Sequence, residues 1–242
     1  MTDVRKLLAE LFGSFILLGL GGFAIASTAT GVDGSAVVPL GFGLGLIVAL
    51  CFFGEISGGH YNPAIILAAL LDKRIDATRF AAYVVAQLVG FALAGYTILA
   101  ATTKEVTALT MTLLNEAAGV SSIDVIMLEA LATALLVGVI LRVTMSDTYG
   151  TRAFLGIGIT VSALTISFGE ITGGSFNPGR SFGSALAAGN FTDFYLYLIG
   201  PLLGGVIGWS LYKITTPEEA NAEAGAQNEA RARDQEHGSF PW

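Results

Sequence analysis

The chain has 242 residues, 53% of them hydrophobic and only 13% charged, with a formal net charge of −7 and a mean hydropathy of +0.70. A soluble domain carries about a quarter charged residues, so this composition excludes a water-soluble globule and points to a bilayer. The acidity is concentrated near the C-terminal end, no basic footprint for nucleic acid is present, and the single cysteine, Cys51, gives no disulfide framework.

A membrane-crossing helix needs about 20 mostly apolar residues. The first such run, 7–27, follows Arg5 and Lys6 and holds Glu10 near its start. It has no small-residue cleavage signature followed by a soluble domain, so it reads as a retained span. The second span is 37–54, and after it SGGHY leads into Asn62–Leu71 (NPAIILAALL), which is apolar and helix-like but too short to cross. Spans follow at 79–101, at 124–144 with Glu129 near its start, and at 154–168. A second short segment, Asn177–Ala188 (NPGRSFGSALAA), follows TGGSF, and the last span is 194–213. Short apolar segments behind Gly-Gly turns are candidates for re-entrant half-helices. Glycines at 13, 19, 41, 45, 90, 95, 204 and 208 mostly fall on spans, where small residues allow close helix approach. From Thr215 to Trp242 the chain is rich in Ala, Glu and Arg and reads as a solubilising tail, disordered or a frayed helix.

Basic residues divide unevenly across this layout. Arg5, Lys6, Lys73, Arg74, Arg79, Arg142, Arg152, Lys213, Arg231 and Arg233 fall on one side, and Lys104 falls opposite. The positive-inside rule then makes both termini cytoplasmic, and the short loops suggest a cell (plasma) membrane.

The two halves repeat one another. Each opens with a glutamate near the start of a span, and each carries a Gly-Gly turn and an Asn-Pro dipeptide, the two dipeptides standing 115 residues apart. Three spans per half is an odd number, so the second half is inverted, and inverted repeats with broken helices put their site near the bilayer midplane. The expected fold is therefore an all-α membrane protein with six transmembrane helices and two re-entrant half-helices.

Asparagine is a preferred N-cap and proline a preferred first helical residue, so Asn62-Pro63 and Asn177-Pro178 each read as a helix start. Two such starts meeting inside the membrane each bring about half a positive charge. With the side-chain oxygen capping the helix, the amide NH2 is left to donate into a lumen, which suits neutral solutes and opposes cations. Arg180, beside the second half-helix, is costly there unless it faces a wet cavity or bonds to carbonyls; at a constriction it would grip passing oxygens and repel protons. Glu10 and Glu129 are expected to accept hydrogen bonds from loop N–H groups, with proton relay as the alternative, and His60 to brace the loop before Asn62.

These residues resemble the aquaporin family (major intrinsic proteins), over roughly 5–214, with SGGHYNPA (Ser57–Ala64) and GGSFNPGRSFGSA (Gly173–Ala185) as specific anchors. The resemblance implies a channel domain over 1–214 (repeats at about 5–103 and 124–214), a tail over 215–242, a homotetramer, and one pore per subunit. It makes Asn62 and Asn177 the central donors and Arg180 the charged member of an outer selectivity filter. Spacing from the motifs carries the other filter positions onto Phe42, Thr165 and Gly174. Strict water channels usually have histidine where Thr165 stands. Glycerol facilitators usually pair two filter aromatics and follow the arginine with aspartate, whereas here Phe42 is the only aromatic and Ser181 follows Arg180, the water-channel pattern. Gly179 replaces the family's usual alanine, and the missing methyl is expected to loosen the junction of the half-helices.

The implied function is a passive channel for water, and for small neutral solutes, that excludes ions and protons and needs no cofactor or metal. Alternatives are a facilitator for glycerol, urea or ammonia, and a coupled secondary transporter, for which only Glu10, Glu129 and Arg180 are ionisable candidates at mid-membrane. An enzyme is not expected, because the two histidines, one of them His237 in the tail, form no metal-spaced cluster and no paired carboxylates exist.

Overall fold

A computed structural model describes residues 3–144 and 151–217; the expected tail beyond 217, with Arg231, Arg233 and His237, lies outside the described residues. Six helices are long and apolar enough to cross a membrane. They are α1 (Val4–Thr28), α2 (Gly34–Ser57), α4 (Ala77–Ala101), α5 (Ser122–Val143), α6 (Thr151–Thr172) and α8 (Phe194–Thr215). Between them stand the two Asn-Pro helices, α3 (Pro63–Leu71) and α7 (Pro178–Ala188), and a one-turn helix at Lys104–Ala108. No strand is present among the described residues.

Starts are written locally. Asp3, Asp33 and Asp76 cap α1, α2 and α4 by accepting a backbone N–H of the first turn, and Ser121 with Asp124 forms a capping box on α5. Several ends lie a few residues outside the expected bounds, and two of them have a local reason. The fifth span runs on to Thr172, because Ser167, Gly169 and Glu170 dilute the apolar run without breaking the helix. The second continues to Ser57 through a π-helical turn at Leu50–Gly54, a local widening of the kind that frees a backbone carbonyl. Tyr61 uses this local geometry, its hydroxyl donating to the Ala49 carbonyl at 3.2 Å.

Within each half the first span packs on the second and the third: α1 on α2 and α4, and α5 on α6 and α8. The halves meet where α2 crosses α6. There a Cβ on Gly43 would sit 2.5 Å from the Gly158 carbonyl, and one on Gly158 would sit 2.6 Å from that of Gly43. The half-helices are exchanged: α3 packs on α8, and α7 on α4. Of the glycines expected at close approaches, Gly90 and Gly204 lie on the carbonyls of Leu11 and Ala130, whereas a Cβ on Gly19 would meet no atom of the described residues.

The exterior is apolar, with Phe52, Val85, Met127, Ile159, Ile166 and Ile214 among many exposed large side chains, while Glu10, Gln87, Glu129 and Arg180 are buried. That inversion of the soluble pattern fits a protein whose outer solvent is lipid. Basic side chains expected on one side do gather at one end: Arg74 donates to Thr144 Oγ1 at 2.6 Å, Arg142 reaches the Thr215 carbonyl, and Lys213 lies 3.6 Å from Asp72.

Candidate functional site

Two loops enter the bundle from opposite ends and turn back as α3 and α7. Each is folded by the same backbone sequence of events. Gly58 and Gly59 (φ +102° and +66°) correspond to Gly173 and Gly174 (+89° and +59°), and the following Tyr61 and Phe176 are held at φ 45° and 52°. Left-handed backbone at a bulky aromatic residue is strained and persists only when its surroundings enforce it. Here the enforcing groups are the two buried carboxylates. Glu10 accepts from the Ser57 hydroxyl (2.7 Å), the backbone N–H of His60 (3.1 Å) and of Tyr61 (2.9 Å), and Gln87 Nε2 (2.8 Å), and its Oε1 lies 3.1 Å from His60 Nδ1. Glu129 accepts from the Thr172 hydroxyl (2.7 Å) and the N–H groups of Ser175 (3.0 Å) and Phe176 (2.7 Å). Both carboxylates are 0% exposed, and neither lines the central cavity. Tyr83 and Tyr197 complete the correspondence, donating to the carbonyls of Ser57 and Thr172.

Asn62 and Asn177 cap α3 and α7 as the Asn-Pro pairs predict: Asn62 Oδ1 accepts from Ala64 N (2.8 Å), and Asn177 Oδ1 from Gly179 N (3.0 Å) and Arg180 N (3.2 Å). The expectation that the whole amide NH2 faces a lumen needs correcting. One N–H of Asn62 donates to the Phe176 carbonyl, and one of Asn177 to the Tyr61 carbonyl, each at 2.8 Å. The two motifs are thus cross-tied, and each asparagine keeps a single N–H for anything passing between them. The carbonyls that accept these bonds belong to the two residues in left-handed conformation, so backbone strain places the acceptors.

Arg180 is 3% exposed. Its Nη1 donates to the Thr110 carbonyl at 2.9 Å, its guanidinium carbon lies 4.9 Å from the centre of the Phe42 ring, and its Nε has no hydrogen-bond partner among the described residues. Thr110 belongs to the segment after the short helix Lys104–Ala108, which also ties Thr112 to Ser181 (hydroxyls at 2.7 Å), and Ser181 to Ser175 (2.5 Å). Sequence reasoning missed this segment, because a backbone carbonyl has no residue-type signature. It missed Gln87 as well, although a lone glutamine inside an apolar span was a usable signal. Thr165 donates its hydroxyl to the Val161 carbonyl at 2.9 Å, one turn back. A side chain on Gly174 would point at Gly169 Cα (3.1 Å), so position 174 presents only backbone.

One cavity joins these groups. Phe42, His60, Asn62, Thr165, Gly174, Asn177 and Arg180 all line it, and Leu17, Leu46, Ile65, Leu136, Val161 and Phe176 supply apolar wall. The structure brings together every residue expected at a pore or filter, with the two glutamates just behind. Few polar groups on an apolar wall hold a small neutral hydrogen-bonding solute without trapping it. Among the described residues no cluster of three His, Cys, Asp or Glu side chains stands ready for a metal ion. Gly179 leaves no void: a Cβ there would fall 2.5 Å from two ring atoms of Phe91. The expected loosening is therefore absent, because α4 fills the space.

Comparison with known proteins agrees with this geometry. The family model described as "Major intrinsic protein" matches residues 1–212. A protein of Lactiplantibacillus plantarum named glycerol uptake facilitator protein-like 6 is 38% identical, over 84% of this chain and 94% of its own. Aquaporin TIP2-1 of Arabidopsis thaliana is 34% identical, over 88% and 87% of the two chains, and human aquaporin-1 is 31% identical, over 86% and 80%. Among solved structures, the aquaglyceroporin of Plasmodium falciparum superposes with a TM-score of 0.81 at 25% identity, covering 90% of this chain and 99% of that one.

Proposed function

Because the chain belongs to the major intrinsic protein family, we propose that it is a passive membrane channel conducting water, and small neutral solutes more slowly, while excluding ions and protons. The observation that carries the reading is the cross-tied asparagine pair at the N-termini of α3 and α7, inside a cavity whose remaining wall is largely apolar. Two helix N-termini converge there, each with about half a positive charge, and each asparagine offers one N–H. A water molecule crossing this point accepts hydrogen bonds through its oxygen and turns its own hydrogens away. A chain of waters oriented oppositely on the two sides does not relay protons, and a cation meets two positive dipole ends.

In this reading Asn62 and Asn177 are the central donors, and Phe42, Thr165, Gly174 and Arg180 form the outer filter. Glu10, Glu129 and His60 support the loops. The channel domain is 1–214 with a polar tail after it. The protein lies in the plasma membrane with both termini cytoplasmic, a sidedness supported by the basic cluster of Arg74, Arg142 and Lys213 at one end. It assembles as a homotetramer with a pore in each subunit. Coupled transport has less support, since both carboxylates are enclosed and occupied as acceptors.

A second reading, a small-solute facilitator, is favoured by the filter itself. Gly174 contributes no side chain, and the Thr165 hydroxyl is turned back onto its own helix. Reconstituted liposomes followed by stopped-flow light scattering under sucrose, glycerol and urea gradients separate the two. Rapid shrinkage with slow glycerol entry is expected. Slow shrinkage with rapid solute entry selects the second reading, and flux no faster than through empty liposomes removes both.

A further inference from the structure

The two half-helices lean on the third span of the opposite half, and they do so with exchanged volumes. Under α3, the helix residue is Ala64 and the span residue is Gly205, whose Cβ would lie 2.7 Å from the Ala64 carbonyl. Under α7 the corresponding helix residue is Gly179 and the span offers Phe91. Phe91 is wholly buried. Its ring covers Gly179, and its own backbone is pressed against Gly183: a Cβ on Gly183 would overlap the Phe91 carbonyl and lie 2.8 Å from Phe91 Cβ. One turn further along α4, a Cβ on Gly95 would overlap the Gly183 carbonyl and meet Ala187 Cβ at 2.9 Å. Phe91 therefore has its backbone held against Gly183 and its ring, wholly buried, over Gly179.

We propose that Phe91 is a positioning residue for the second half-helix: its ring occupies the volume that a methyl group would need at position 179, and so sets where the first turn of α7 lies. The consequence reaches the pore because that turn carries the working groups. Gly179 N and Arg180 N both donate to Asn177 Oδ1, and a Cβ at 179 would also stand 3.3 Å from that oxygen. A methyl installed at 179 displaces the turn instead of the ring, and with it the Asn177 amide and the Arg180 guanidinium. Alanine is accommodated at position 64, and the same residue is harmful at 179, because the opposing span residue is glycine in one case and phenylalanine in the other.

The inference rests on the channel reading, and its test separates the two. Wild type, G179A, F91L and F91L/G179A are reconstituted at matched, monodisperse protein levels, and water and glycerol permeabilities are read on the same vesicles. G179A is expected to lose about fivefold in water permeability, as small displacements of positioned groups do, with a changed glycerol-to-water ratio. F91L/G179A is expected to recover most of both, which a general loss of fold would not do. G179A with wild-type permeability and ratio overturns the proposal, as does a double variant no better than G179A. If the wild type conducts neither water nor glycerol, the channel reading fails, and the pairing is still decided by melting temperature: F91L/G179A must melt above G179A, and equal or lower melting overturns it.

Discussion

The two motif loops, Ser57–Ala64 and Thr172–Gly179, share a backbone and differ in what surrounds it. In both, a buried glutamate from the first span of the half holds an aromatic residue in left-handed conformation, and the aromatic carbonyl receives the asparagine of the other loop. Around that frame the halves part. Glu10 has Gln87 and the His60 ring as additional hydrogen-bonding side chains, which Glu129 lacks among the described residues. Tyr61 adds a hydroxyl on the Ala49 carbonyl, and Phe176 has no such group. Arg180 follows the second motif where Ile65 follows the first, and both line the cavity. The shared frame builds the centre, where two helix N-termini converge; in the channel reading they oppose a cation from both sides. The unshared residues set a guanidinium beside the second motif and Ile65 with the His60 ring beside the first; in the channel reading, discrimination among neutral solutes falls to the Arg180 side.

Breaking the frame should have the largest effect. Glu10→Ala leaves the N–H groups of His60 and Tyr61 and the amide of Gln87 without acceptors, and at about 1–3 kcal/mol for each buried group the fold is expected to be lost or strongly destabilised. Glu129→Ala strands fewer donors and should melt at a higher temperature than Glu10→Ala; the reverse order would mean that the additional neighbours of Glu10 contribute nothing. Next come the asparagines. Asn62→Asp and Asn177→Asp each remove a cross-tie and set a carboxylate oxygen against a carbonyl, and each should lower water permeability by about tenfold. Their effects should match within about twofold, since the two bonds are equal in length; a large disparity in stopped-flow rates would show that the centre is not symmetric.

The asymmetric residues give smaller and unequal effects. Arg180→Ala should raise glycerol entry several-fold and admit protons more readily, measured by a pH-sensitive dye in the vesicles, whereas Ile65→Ala should leave both ratios near wild type. Tyr61→Phe is the mildest test. Losing one buried hydrogen bond costs about 1 kcal/mol, so melting should fall by a few degrees with the permeability ratio unchanged.

The sequence made the scaffold legible wherever residue type carries the signal. Asn-Pro after Gly-Gly located both half-helices to within a residue, and apolar length located the spans. The end of the fifth span was misjudged because Glu170 looks like a loop residue, although it sits on a helix whose carbonyl at that position accepts from Asn115. What stayed hidden was carried by backbone atoms or by shape. Thr110 holds Arg180 through a carbonyl that any residue could supply. The second acceptor for each asparagine is likewise a carbonyl, so the commitment of half of each amide was not readable. Gly179 looked like a defect because the compensating ring stands 88 positions away on another helix.

The exchange of half-helices between the repeats has a consequence for how the protein is made. α3 is made early, whereas α8, on which it packs, is the latest span among the described residues. Until Phe176 is made the Asn62 amide lacks its cross-tie carbonyl, and until α8 follows, one flank of α3 lacks its neighbour. The first repeat therefore cannot complete its own packing: the loop at Ser57–Ala64 is finished only by residues made more than a hundred positions later.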